Sequence, residues 1–462
     1  MFIVPGIVAV DDNPKELEQL KEGLFSAGLS CFPVVYDEVS GIDDVNFEEC
    51  SGIRVVISDL NLTESQSVEA PQLVGPLGEM LKSLPLTGPY ILCIWSKIED
   101  KVAEVMELLE SRYSNKINLP LRCVAISKTK FLTDPDGLKE RLIEEISSSP
   151  LLNAIIKWEK KVTESANAAV DNLYRLSRPR EEFTTVEKQG EAFDMLMSAI
   201  ANESLGAKNA LEEPSVAVES GLFPIVEDHL RSQKNNVSLW KDALTKVGGR
   251  ISLDQEIKST LNTFYSVEEV EDNFSRDSRG VFLELNLSYL SDKDNLEKFQ
   301  KRFGNNITDI VNQEFIRPIG KKSKQEDKDN YSASFQNCVV GFLESSAACD
   351  YAQRKVKLPR YILGILIPEE LKSFARFKFQ DTYKEAHDGI YRLPIVNYKG
   401  KPYILKFSFK YQVGAQPEDH KWFGRPLLRL RDQVIASINS RNANYSSRLG
   451  VMSFHDDPVL EE

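Results

Sequence analysis

Asp11, Asp12, Asp59, Ser96 and Lys128 are the residues of this chain whose types and spacing can do chemistry together. Each closes or follows a short apolar run. Ile7-Val8-Ala9-Val10 ends in Asp11-Asp12, and Ile53-Arg54-Val55-Val56-Ile57 leads to Ser58-Asp59. Tyr90 to Trp95 ends in Ser96, and Leu121 to Ser127 ends in Lys128. Paired acids and a third acid after a neighbouring run offer hard oxygens suited to Mg²⁺. A lysine and a hydroxyl at the remaining ends can hold the oxygens of a phosphoryl group. Phosphoryl transfer consists mostly of positioning and charge neutralisation, so a carboxylate nucleophile, a metal and a lysine suffice.

These residues act together only if the four runs lie side by side. Each run is short, β-rich and apolar on both faces, as a strand buried in a parallel sheet must be. Amphipathic helical segments separate them, among them Lys15 to Ser26 and Ile98 to Arg112. That alternation predicts an α/β fold with a doubly wound parallel sheet, whose ligands bind beyond the carboxyl ends of the strands. Leu60 to Gly75, rich in Ser, Glu and Pro, reads as a long loop on the same side.

The constellation resembles the receiver domain of two-component response regulators, a flavodoxin-like fold, over residues 1–146, with the domain expected to end at 148. The resemblance implies that Asp59 is the phosphoacceptor, charged by a partner histidine kinase. It implies that Asp11, Asp12, Asp59 and the backbone carbonyl of Asn61 hold Mg²⁺. Ser96 stands at the switch hydroxyl and Lys128 at the phosphoryl-binding lysine. The sequence departs from that pattern in several places. The intervals from Asp59 to Ser96 and from Ser96 to Lys128 are longer than usual, and Thr129 stands where receivers carry proline. Ala125 occupies the position of an aromatic whose inward rotation accompanies phosphorylation. Lys97 replaces a small residue after the switch hydroxyl, where its bulk and charge are expected over the aspartyl phosphate. Both departures favour a phosphoryl group that is stored over one that drives a large response.

Beyond the receiver-like part, residues 149–246 are expected to be helical and residues 247–462 to form a mixed α+β domain. A receiver with a large extension that is no ordinary DNA-binding module resembles proteins of Detocs-type phage-defence two-component systems. There a separate receiver protein acts as a phosphate buffer that competes with a receiver-bearing effector. The alternative is a phosphorylation-controlled effector whose C-terminal domain carries an enzymatic or nucleic-acid-binding activity. A third is a receiver that forms a homodimer as a scaffold. Leu152, Ile155, Val162, Ala166, Ala169, Leu173 and Leu176 recur at helical steps and read as a linker helix, with Glu159 interrupting any dimer seam.

Composition narrows the classes. The 462 residues carry a net charge of −13, with 42% hydrophobic and 27% charged residues, as an ordinary globular protein does. Residues 1–146 hold 25 acidic against 13 basic side chains, which leaves the remainder at −1. No basic face announces nucleic-acid binding. No apolar run approaches the ~20 residues of a membrane span. Met1 to Pro5 enters the first strand without a basic n-region, so a cytoplasmic protein is expected. The six cysteines, at 31, 50, 93, 123, 338 and 349, lack metal or disulfide spacing and read as reduced thiols.

The C-terminal part offers weaker candidates. Cys349 and Asp350 follow a run of small residues and are the nearest approach to a nucleophile or metal ligand, with Cys338 and His387 as conceivable partners. The four histidines, at 229, 387, 420 and 455, are too dispersed for a triad or a zinc site. Arg425, Arg429, Arg431, Arg441 and Arg448 read as a solvated face among Glu418, Asp419 and Asp432. Val281 to Leu287 reads as a half-exposed strand, Lys321 to Asp329 as a loop, and Pro426 to Ser440 as an amphipathic helix. Cys338 to Leu343, Tyr361 to Ile367 and Pro402 to Phe409 read as strands, and Tyr398 to Lys401 as a hairpin turn.

Overall fold

A strand that is apolar on both faces needs cover on both faces, and the N-terminal part of the chain provides it. The computed structural model describes residues 6–42, 45–47, 52–63, 69–131, 134–178, 184–234, 237–321, 323–375, 389–416 and 421–447. Its first elements are β1 (Ile7–Asp11), α1 (Pro14–Ser26), β2 (Phe32–Val35), β3 (Val55–Asp59), α2 (Ala70–Ser83), β4 (Ile91–Ser96), α3 (Val102–Tyr113), β5 (Arg122–Ser127), α4 (Lys128–Phe131) and α5 (Pro135–Ser147). The five strands form one parallel sheet in the order β2-β1-β3-β4-β5. Along β4, Leu92 and Ile94 join one core with Leu77 of α2 and Leu109 of α3. Ile91, Cys93 and Trp95 join the opposite core with Leu20 of α1 and Leu142 of α5. This two-sided burial drives the sheet's formation.

Two features of this sheet escape a reading by pattern. β2 is four residues long, contains Pro33 and among the described residues pairs with β1 alone, so it is a short edge strand with little apolar signal. The expected loop from Leu60 to Gly75 is shorter, because α2 begins at Ala70. Pro71 fits its first turn, and Leu73, Val74, Leu77, Met80 and Leu81 form a buried stripe that outweighs Pro76 inside the helix.

Helices follow: α6 (Pro150–Leu176), α7 (Val186–Leu205), α8 (Ala207–Glu212), α9 (Pro214–Ser232) and α10 (Val237–Ala243). α6 buries Leu152, Ala154, Ser165, Ala169 and Leu173 on one side, while Leu176, the last residue of the helix, is 75% exposed. Glu159, the interruption in that stripe, accepts hydrogen bonds from the Arg54 guanidinium at 2.5 and 3.1 Å. The chain divides into two units, residues 1–194 with 222–250, and residues 195–221 with 251–462.

In the second unit α11 (Gln255–Ser266) precedes a seven-stranded antiparallel sheet. Its strands are β6 (Val267–Glu269), β7 (Val281–Leu285), β8 (Val339–Glu344), β9 (Arg360–Pro368), β10 (Ile390–Tyr398), β11 (Lys401–Gly414) and β12 (Phe423–Leu430), in the order β10-β11-β9-β8-β7-β12-β6. The turn between β10 and β11 is the expected hairpin. Lys399 and Gly400 have φ of 49° and 72°, the double left-handed pair of a type I′ turn.

Three expectations are corrected here. Val281 to Leu285 is almost wholly buried, because cores line both faces of the sheet. Pro426 to Ser440 is not one helix: β12 runs to Leu430, and a helix then spans Asp432–Ser446. Leu427, Leu430, Val434 and Ile438 fit a helical period. Pairing with β7 and β6 buries Leu427, Leu428 and Leu430 as strand residues and satisfies their backbone. Lys321 to Asp329 is not all loop, since a helix spans Gln325–Gln336 with Glu326 and Asp327 in its first turn.

Candidate functional site

Asp11, Asp59, Ser96 and Lys128 gather at the carboxyl edge of the parallel sheet because β1, β3, β4 and β5 end in register there. Asp11 is fully buried and Lys128 is 2% exposed. The Lys128 ammonium donates to Asp11 Oδ2 and contacts Asp59 Oδ2, each at 2.8 Å. A carboxylate oxygen each from Asp11, Asp12 and Asp59 lies within 4.8 Å of the others. Backbone amides complete the acids: Asn13 N–H donates to Asp11 Oδ1 at 2.9 Å, and Leu60 N–H to Asp59 Oδ1 at 2.7 Å. Asn13 also caps α1 by accepting from Lys15 N and Glu16 N.

That cap sets the direction of the first turn of α1 and so places a residue the sequence reading did not single out. Glu16 Oε2 accepts from Lys128 at 2.8 Å, and Glu16 Oε1 accepts from Lys97 at 2.9 Å. Lys97 therefore has its ammonium on Glu16, with its side chain 57% exposed. The signal for Glu16 was its position on the first turn after Asn13-Pro14, but its partners are 81 and 112 residues away. Only the closed sheet brings them together.

Burial pushes the Asp11 and Asp59 carboxyls above their usual range, and the Lys128 ammonium offsets this only in part. Glu16 also feels burial, but its hydrogen bonds from Lys128 and Lys97 hold it below the usual range. Burial disfavours the charged Lys128, yet Asp59, Asp11 and Glu16 raise its pKa above that of a free lysine. Asp11, Asp59 and Glu16 thus share the Lys128 ammonium, and Glu16 shares a second ammonium, that of Lys97. Asp11 is buried while Asp12 and Asp59 are partly exposed, so an ion has access from solvent. The donor set of clustered carboxylate oxygens fits a hard cation such as Mg²⁺.

The remaining residues of the constellation fall around this centre. Ser96, 1% exposed at the end of β4, accepts from Ile98 N–H at 3.1 Å. Ala125 pairs in register with Ile94 and is partly buried against the α2–α3 core, with no ring to move. Asn61 lies two residues beyond β3. Thr129 and Ser127 share a hydrogen bond of 3.0 Å.

Among the described residues the C-terminal candidates form no comparable group of three acids, cysteines or histidines. Cys349 is exposed, and its thiol meets the Asp350 carboxylate next to it at 3.7 Å. Cys338 is partly buried with its thiol pushed up to about 12 by desolvation. His387, His420, His455, Glu418, Asp419, Arg448 and Cys50 lie outside the described residues. Among the described residues, Asp11, Asp12 and Asp59 are the one group of three His, Cys, Asp or Glu side chains close enough to share a metal. The arginines are answered by acids: Arg425 by Glu284, Arg429 by Glu268, and Arg431 by Glu268. Arg441 lies over the ring of Tyr391 at 5.3 Å.

No protein-family model matches this chain, and no curated protein matches it by sequence. The five-stranded parallel sheet and its aspartate cluster are compatible with a receiver-like fold. No helix among the described residues is long and apolar enough to cross a membrane.

Proposed function

We propose that this chain is a receiver-type phosphoacceptor, flavodoxin-like in its first 148 residues, that takes a phosphoryl group on Asp59 from a partner histidine kinase in the cytoplasm. The observation that carries the reading is the contact of one buried lysine with both Asp11 and Asp59 at 2.8 Å, beside a third aspartate. In the transfer, an Asp59 carboxylate oxygen attacks phosphorus in line. A P–O bond forms, the P–N bond to the kinase imidazole breaks, and the imidazole leaves with the bond's electron pair. Lys128 donates to a phosphoryl oxygen and neutralises charge on it, and the Ser96 hydroxyl would hold another. Asp11, Asp12, Asp59 and the backbone carbonyl of Asn61 would hold Mg²⁺, which supplies further neutralisation of the phosphoryl oxygens.

The test is phosphorylation by acetyl phosphate and Mg²⁺, read on a phosphate-affinity gel. A shifted species is expected from the unsubstituted chain and none from Asp59→Asn. A shifted species that persists in Asp59→Asn removes the assignment.

Within this reading the chain stores phosphate, as a buffer in an antiviral two-component system. Ala125 favours storage over an effector, because no aromatic ring stands ready to transmit the hydroxyl's movement. Hydrogen exchange with and without beryllofluoride separates the two. Protection changes confined to residues 6–131 are expected, whereas broad changes beyond residue 150 favour a phosphorylation-controlled effector.

A further inference from the structure

The Lys128 ammonium has three N–H donors, and each has a carboxylate at 2.8 Å: Asp11, Asp59 and Glu16. At 2% exposure Lys128 cannot exchange a lost partner for bulk water. A divalent cation seeks the same Asp11 and Asp59 oxygens, and two positive centres on shared oxygens repel each other. Glu16 belongs to the lysine's partners and not to the group of Asp11, Asp12 and Asp59 that can share a metal. Its other oxygen is tied to Lys97, whose ammonium reaches the surface.

We propose that Glu16 is a positioning residue of the acid site: it keeps Lys128 in place when a divalent cation draws on Asp11 and Asp59, and Lys97 moderates the charge it adds. The role rests on the phosphoacceptor reading through the cation. Two opposite consequences follow from charge alone. Glu16→Gln removes a negative charge from the surroundings of the cation, whereas Lys97→Met removes a positive one.

Mg²⁺ binding to the full chain, measured by titration calorimetry, tests this. Glu16→Gln is expected to bind Mg²⁺ about tenfold more weakly and Lys97→Met several-fold more tightly. A purely structural pair would move both variants the same way. At saturating Mg²⁺, Glu16→Ala is expected to accept phosphate from acetyl phosphate several-fold more slowly. Glu16→Gln, which retains an oxygen acceptor for Lys128, should recover most of that rate. Unchanged Mg²⁺ affinity in Glu16→Gln, or equal weakening in both charge variants, overturns the role of Glu16 and leaves Asp59 as phosphoacceptor. No Mg²⁺ binding by the unsubstituted chain overturns both.

Discussion

At the edge of the parallel sheet four carboxylates, Asp11, Asp12, Asp59 and Glu16, surround one buried lysine and one surface lysine. In the second unit the buried acids Glu344, on β8, and Glu314, on a short helical turn, have local partners. Glu344 accepts from the Ser346 and Gly280 amides at 2.9 and 3.3 Å. Glu314 accepts from Ser408 and Lys410 at 3.0 and 2.9 Å. Even within the first unit, Glu145 meets both Arg122 and Arg141. Burying a charge is costly; arginine or lysine partners offset part of that cost for Glu145 and Glu314, and amide hydrogen bonds offset only some of it for Glu344. At the parallel sheet three carboxylates instead share one buried ammonium, and the Asp11, Asp12 and Asp59 oxygens lie close enough together to take an external cation. Buried acids alone do not separate the two sheets; the balance of charge around them does.

Removing charges on either side of that balance should give the largest effects. Lys128→Met takes away the cation that faces Asp11 and Asp59 in a nearly dry site. A loss of about 3 kcal/mol in unfolding free energy is expected in chelator, with part of it restored by Mg²⁺. Asp12→Asn should act in the opposite sense, raising the unfolding temperature in chelator and abolishing the further rise on adding Mg²⁺. Denaturant and thermal unfolding of both variants measure this. Destabilisation by Asp12→Asn in chelator would mean that the cluster is balanced like the rest, and the contrast between the sheets would fail.

The next effect lies in the second sheet and depends on pH. Burial holds the Glu344 carboxyl at about 7, against an ordinary value of 4.5, despite its amide hydrogen bonds. The folded form thus binds a proton more tightly than the unfolded form. Stability from this group is greatest below about pH 4.5, falls as pH rises toward 7, and is level above that. The span corresponds to about 3 kcal/mol. Hydrogen exchange of the β8 and β9 amides should therefore be slower to open at pH 5 than at pH 8, relative to Glu344→Gln. An identical pH dependence in that variant would show that Glu344 is ionised and fully compensated, which would sharpen the contrast with Asp11 and Asp59.

How far the sequence foreshadowed these sites follows the range of the interactions. β1, β3, β4 and β5 were readable because a strand covered on both faces must be apolar throughout, and their ends carried Asp11, Asp59, Ser96 and Lys128 into one place. β2 was not readable, since four residues at an edge, one of them Pro33, carry no such run. Leu427, Leu430, Val434 and Ile438 have a helical spacing that only the pairing of β12 with β7 and β6 overrules. Glu16 was invisible for a related reason: an acid on the first turn of a helix is ordinary. Its meaning comes from Lys97 and Lys128, which the chain alone does not place beside it.

The smallest expected effects belong to the arginines of the second sheet. Arg429 on β12 is paired with Glu268 at 3.0 Å, and both side chains are about a third exposed, 30% and 37%. Such a pair contributes roughly 0–1 kcal/mol, because water screens it and its side chains lose freedom in forming it. Arg429→Ala should lower stability by no more than about 0.5 kcal/mol. The same pairing bears on nucleic acid. Duplex affinity at physiological salt comes mainly from lysines and arginines free to displace counterions from phosphates. Arg425, Arg429 and Arg431 each already face an acid, and residues 147–462 carry a net charge of only −1. Binding to random duplex DNA should therefore be weaker than micromolar, and Arg429→Ala should not change it. Fluorescence anisotropy with a labelled duplex measures this. Tight binding that Arg429→Ala abolishes would make the arginines of β12 a phosphate-reading face, and the second sheet would then hold unanswered charge of its own.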